Sequence, residues 1–185
     1  AFTIKVSDAA GNQSPVSDTL TVTRDSKAPA APTAFKLLAA DDTGSSATDN
    51  ITKVTTPSFT GTAEAGSTVG VYINGSLDAT TTAGATGAFT VKLASALTDG
   101  TYSITTRATD KAGNTGVDSA AVSLKVDTYT PFVVGVTSPI AKVYKAGDVL
   151  SIPATFGNPV VVTGVPTLAV TIGSTVRAAA YTSGS

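Results

Sequence analysis

The sequence predicts an all-β, elongated chain of antiparallel β-sandwich domains in tandem. Three observations predict it: short runs in which apolar and polar residues alternate, turn dipeptides that separate these runs, and a sequence that repeats itself at the spacing of one domain. No window sustains the apolar spacing of a helix over three turns, and the abundant Thr, Val and Gly oppose one.

The repeat sets the frame. Asp110 lies 102 positions after Asp8, and at the same offset Thr3, Ala10, Gly11, Asn12, Ser17, Asp25 and Pro29 meet Thr105, Ala112, Gly113, Asn114, Ser119, Asp127 and Pro131. Phe2, Ile4 and Val6 fall on Ile104, Thr106 and Ala108, and Leu20 and Val22 fall on Val122 and Leu124, so the alternation is kept as well. A period of about 100 residues is one domain per repeat. Residues 1–27 are therefore expected to be the C-terminal strands of one domain, 28–128 a complete domain, and 129–185 the N-terminal part of a further domain. The start in mid-pattern at Phe2-Thr-Ile-Lys-Val6, with no initiator Met, suggests a piece of a longer protein.

In the complete domain Val69, Val71 and Ile73 alternate with polar or small residues and run into Asn74-Gly75, a strong hairpin signal. Phe89, Val91 and Leu93 alternate in the same way, and Asp99-Gly100 turns the chain into Tyr102–Ala108. Val122, Leu124 and Val126 close the domain. Some seven short strands in about 100 residues, with turns roughly every 8 to 12, describe a sandwich of immunoglobulin-like type. The expected core is Val69, Val71, Ile73, Phe89, Val91, Leu93, Val122 and Leu124, with Phe59 and Tyr102 as further core aromatics. In the third segment Leu150, Ile152, Ala154 and Phe156 alternate, Asn158-Pro159 breaks the run, and Leu168, Val170 and Ile172 alternate before Gly173-Ser174. That pattern is a different sandwich subtype, expected by itself to leave a sheet edge and an unfinished core.

Composition narrows the chemistry. The chain has 185 residues and neither His nor Cys, which excludes a Ser-His-Asp triad, a thiol nucleophile and a His/Cys zinc site. No paired-carboxylate pocket is evident, so the chain is expected not to be an enzyme. Of its 13 carboxylates 12 are Asp and only Glu64 is Glu; Asp favours turns and ligates hard cations. A net charge of -1 with 14% charged residues leaves no electrostatic footprint for nucleic acid or an anionic membrane surface. No apolar run approaches the roughly 20 residues of a membrane helix, and no signal peptide opens the chain, so it reads as soluble with no membrane insertion. Absence of Cys suits an exported bacterial protein that folds without disulfides.

Val6-Ser-Asp-Ala-Ala-Gly-Asn12 and Ala108-Thr-Asp-Lys-Ala-Gly-Asn114, each followed by a linker Asp and then a Pro, resemble the bacterial Ig-like repeats in the stalks of giant adhesins exported by type I secretion. Asp41–Thr52 and Pro57-Ser-Phe-Thr-Gly-Thr-Ala63 are similar to the opening of the same repeats. Beyond residue 131 the likeness rests on Tyr144-Lys-Ala-Gly-Asp148 and Val162-Thr-Gly-Val-Pro-Thr-Leu168, which resemble another Ig-like subtype. Asp25-Ser-Lys-Ala-Pro29 departs from the usual Asp-Thr-Thr-Ala-Pro linker but keeps its Asp and Pro. The resemblance implies an extracellular stalk at the bacterial cell surface or in a biofilm matrix, with structural Ca²⁺ at the domain junctions. Its partners are then the neighbouring Ig-like domains of the same chain and other copies in a filament or bundle.

In an Ig-type sandwich the loop between the last two strands faces the incoming linker, so Asp110 and Asn114 should face Asp25, with Asp8 the equivalent of Asp110 in the first repeat. The loop between the first two strands lies at the other pole, placing Asp41, Asp42 and Asp49 near Asp127. Calcium takes six to eight oxygens in irregular geometry, so a few Asp with Thr, Asn or main-chain oxygens suffice. The same Asp-x-x-Gly-Asn pattern is also a plain turn, in which Asp bonds its own backbone and Gly takes positive φ. Asp18, Asp78, Asp99, Asp118 and Asp148 read as surface or turn residues. Asn12-Gln-Ser14, Asn50-Ile-Thr52 and Asn74-Gly-Ser76 match the glycosylation sequon by coincidence in a chain of bacterial character. Two other functions stay open: a carbohydrate- or partner-binding Ig-like module, and accessory domains of a secreted enzyme.

Overall fold

A computed structural model describes residues 1–44, 46–137, 143, 145, 148–172 and 174–181. Part of the Tyr144–Asp148 motif (Tyr144, Ala146, Gly147), Ser45 and Gly173 therefore lie outside the described residues. The chain divides into two compact units, Ala1–Asp127 and Thr128–Ser185, and the described residues contain strands and no helix.

The first unit holds β1 (Thr33–Leu37), β2 (Ile51–Thr52), β3 (Ser58–Thr62), β4 (Thr68–Ile73), β5 (Ser76–Thr82), β6 (Ala88–Lys92), β7 (Gly100–Thr109) and β8 (Val122–Val126). One sheet has the order β1-β3-β6 and the other β2-β8-β7-β4-β5. Every pairing is antiparallel except β2 with β8, where Ile51 and Thr52 run alongside Lys125 and Val126. Asn74 (φ 50°) and Gly75 (φ 85°) both turn left-handed between β4 and β5. That is the two-residue hairpin their sequence encodes.

The two sheets close on Phe59, Val69, Val71, Ile104 and Leu124, all fully buried, and on Leu37, Phe89, Val91, Leu93, Leu97 and Val126. Phe35 stacks on Phe59 with ring centroids 5.2 Å apart. Burying each such Val, Leu or Phe contributes roughly 1.5–3 kcal/mol. Of the expected core, Ile73, Val122 and Tyr102 are only partly buried. Ile73 and Val122 pair with Ser76 and Ile104 at the ends of their strands.

Residues 1–27 form a hairpin-like segment that repeats the pairing of β7 with β8. Phe2 bridges Leu20 as Ile104 pairs with Val122, and Ser7 bridges Gln13 as Thr109 bridges Thr115.

The second unit contains β9 (Val133–Val136) paired with β10 (Ala154–Phe156), and β11 (Thr167–Ile172) paired with β12 (Thr175–Ala180). The alternation from Leu150 to Phe156 does not give one strand. Pro153 interrupts it, because proline has no N–H to offer a ladder, and the strand begins at the next residue. The Pro153 carbonyl instead accepts from Thr137 N–H at 2.8 Å. Neither β9 nor β10 buries a residue, and Val133, Val134, Val161 and Val165 are exposed.

Candidate functional site

β7 sets the distance between the two candidate poles. Its ten residues span about 33 Å at roughly 3.3 Å each. The Asp110–Asn114 loop follows its last residue, whereas Val126 at the end of β8 pairs with its first, Gly100.

At the incoming pole Asp110 organises its own loop. Its Oδ1 accepts from the N–H groups of Ala112 and Asn114, each at 2.8 Å, and its Oδ2 accepts from Asn114 Nδ2 at 2.8 Å. Gly113, at φ 91°, closes the turn and donates to the Asp110 carbonyl. These donors, the Asn114 amide foremost, hold the Asp110 carboxyl below the usual aspartate range. Asp8 repeats the arrangement with Ala10 N–H, Asn12 N–H and Asn12 Nδ2, and its carboxyl is lowered for the same reason.

The segment before β1 reaches this loop, but not through the group expected. Asn114 Nδ2 also lies 3.4 Å from the backbone carbonyl of Asp25, while Asp25 Oδ1 accepts from Lys27 N–H at 3.0 Å. Two carboxylates were expected to converge here; the linker instead offers a carbonyl, because its side chain is drawn into an Asx turn of its own. Pro29 is buried against Gly116, where a Cβ would collide with the Pro29 carbonyl oxygen.

At the outgoing pole β2 brings the first loop onto the end of β8. Lys125 N–H donates to Asn50 O and Asp127 N–H to Thr52 O, both at 2.9 Å, and Asp127 Oδ2 lies 3.5 Å from Lys125 Nζ. Thr52 Oγ1 donates to the Asp41 carbonyl, Asp41 Oδ2 accepts from Ser58 N–H at 2.6 Å, and Asp49 Oδ1 accepts from Ile51 N–H at 3.1 Å. Asp42 is only 8% exposed; its Oδ2 accepts from Asn50 N–H at 3.3 Å, and its Oδ1 is buried with no partner.

Among the described residues no group of three or more Asp or Glu could hold a metal ion. The donor sets of the two poles nevertheless differ in their fit to a hard cation. A buried carboxylate oxygen without a donor is costly, so Asp42 fits a cation drawing on neighbouring main-chain oxygens. Asp110 fits less well, since donors of its own loop already occupy both its oxygens.

Two other aspartates do more than sit at the surface. Asp78 accepts from Ala94 and Ser95 N–H at 2.7 and 3.0 Å, tying β5 to the segment after β6. Asp118 pairs with Arg107, which keeps its carboxyl lowered, and the Arg107 guanidinium lies 4.8 Å from the Tyr72 ring centroid. Asn50, Thr52, Pro29 and Gly116 are missing from the expected site. Pro29 and the Asn50-Ile-Thr52 sequon stood out in the sequence, but as a linker proline and a glycosylation match rather than as parts of a site, and Gly116 carried no signal.

Sheets of three and five strands around one apolar core, with the flanking segments meeting loops at the two ends of β7, define an immunoglobulin-like sandwich module. The family model described as "Bacterial Ig-like domain" matches residues 28–128, more than half of the chain, and the chain belongs to that family. No curated protein matches the chain.

Proposed function

We propose that this chain is a spacer segment of an exported bacterial surface adhesin or matrix filament, a non-catalytic run of Ig-like modules with calcium at their junctions. The observation that carries the reading is the placing of the two linkers. Asp25 meets the loop after β7 and Asp127 meets the loop that carries Asp42, so residues 28–127 receive and pass on the chain at opposite ends of β7.

When bound, calcium supplies a compact double positive charge that gathers six to eight oxygens. Asp42 with the carbonyls of its loop would hold it at the outgoing pole. Asp41 and Asp49 orient the loop through their bonds to Ser58 and Ile51. Membership of a bacterial Ig-like family, with neither His nor Cys in the chain, supports the absence of catalysis.

The test is calorimetric titration of the chain with calcium, together with melting and small-angle scattering in calcium and in EGTA. Saturable binding that Asp42→Asn removes, with a melting temperature raised by calcium, is the expected result. Identical melting and maximum dimension in both buffers would end the calcium reading.

A further inference from the structure

We infer that Asn114 and Gly116 form a metal-independent seat for the incoming linker. The inference rests on the reading of Asp25–Pro29 as a domain junction. Asn114 Nδ2 stands between two oxygens, Asp110 Oδ2 at 2.8 Å and Asp25 O at 3.4 Å, and donates to both. A bridging cation would serve the same pair of oxygens, and the amide serves them without charge. Two residues further on, Gly116 lets the Pro29 carbonyl approach where no side chain fits, and Pro29 and Pro32 are buried beyond it. One contact fixes the start of the linker and the other its end. Proline at position 29 helps, because its fixed φ leaves fewer conformations to restrain.

The repeat supplies an internal contrast. Asn12 makes the same bond to Asp8 Oδ2, but Ser14 stands where Gly116 stands in the second copy. Ser14 Oγ is engaged with Val6 N–H and the Pro15 carbonyl. A seat of the Gly116 kind is therefore a property of the 25–29 junction and is not shared by both copies of the loop.

The linker carries its own probe, since Arg24 and Lys27 are exposed trypsin sites. Limited trypsin digestion of the whole chain in EGTA, with cleavage after each residue followed by mass spectrometry, reads how often the linker leaves its seat. Asn114→Asp keeps the size of the side chain but loses the donor, and Gly116→Ala forces the Pro29 carbonyl away. Each should speed cleavage at Lys27 by roughly threefold to tenfold, as loss of one restraint does when cleavage tracks the open population. Asn12→Asp, which alters only the first loop, should leave that rate unchanged. Circular dichroism melting confirms that residues 28–127 remain folded in each variant; if Gly116→Ala unfolds them, Asn114→Asp decides.

Unchanged linker cleavage in the folded variants overturns the seat, as does protection of the parent chain that appears only when calcium is added. The second outcome leaves the calcium reading standing. Protection in EGTA that the variants remove supports the seat even if calcium binds nowhere.

Discussion

The hairpin of β7 and β8 and its copy in residues 2–22 share their hydrogen bonds and differ in what covers them. Ile4 N–H donates to Ser17 Oγ at 2.9 Å, as Thr106 N–H donates to Ser119 Oγ at 3.1 Å. Ser17 N–H bonds Ile4 O, and Ser119 N–H bonds Thr106 O. Yet Phe2, Ile4 and Val6 are 65, 69 and 61% exposed, while Ile104, Thr106 and Ala108 are fully buried. The second hairpin lies against the β1-β3-β6 sheet; the first has no such sheet over it among the described residues. The pairing of this hairpin is written in its own residues, whereas burial has to come from an opposite layer.

The comparison can be broken most severely by placing charge on each side of it. Val91→Asp puts a carboxylate into the core of residues 28–127 and should cost on the order of 3–5 kcal/mol or more, enough to unfold a marginal domain. Val6→Asp, on the exposed copy, should stay within about 0.5 kcal/mol. Urea unfolding followed by circular dichroism measures both, and equal losses would mean that residues 1–27 are packed after all. A gentler pair is Ile104→Ala against Phe2→Ala: the first creates a cavity and should cost about 2–5 kcal/mol, the second about 0.5 kcal/mol or less.

The comparison also predicts a gain. Thr106 Oγ1 is buried without a partner, and the first copy carries Ile4 at the same place. Thr106→Val should therefore raise stability by about 1 kcal/mol, read as a higher urea midpoint at unchanged slope. A lower midpoint would show that the hydroxyl has a use.

The smallest effect is shared by the two loops. Asp8 and Asp110 both have lowered carboxyl pKa values, chiefly through Asn12 and Asn114. A lowered folded pKa contributes stability that is fully present above the ordinary aspartate range and is lost as pH falls through the lowered value. Carboxyl NMR titration should place both below free aspartate. Asp110→Ala should flatten the acid limb of stability for residues 28–127, while Asp8→Ala should leave that limb as it was.

Period-2 runs made much of the sandwich legible, because strands such as β3, β6 and β8 bury alternate residues. Val69 and Val71, Phe89 and Val91, and Leu124 announce themselves, and Asn74-Gly75 fixes a turn that few other dipeptides allow. β2 was not legible: two residues carry no period, and Ile51-Thr52 is a strand only because Lys125 and Val126 lie beside it. The site was readable as a pair of loops and not atom by atom. Asp41 and Asp42 are neighbours of the same type, but one bonds Ser58 while the other hides an oxygen, and that difference depends on where Asn50 and Ser58 lie in space. Asp25 was chosen for its carboxylate, whereas its carbonyl meets Asn114, a distinction that a pattern of residue types does not contain.

The parallel pairing of β2 with β8 bears on how residues 28–127 carry tension. If the chain is pulled from Pro29 at one end and Asp127 at the other, β1 is drawn away from the outgoing pole while β8 is drawn towards it. The bonds from Lys125 to Asn50 and from Asp127 to Thr52, like those between β1 and β3, lie across the line of pull and are loaded in shear. Bonds in shear share the load and yield together, whereas a hairpin pulled open at its mouth loses its rungs one at a time. A module tied in this way should resist stretching up to an abrupt threshold, with the two rungs beside Asp127 among the first to be lost.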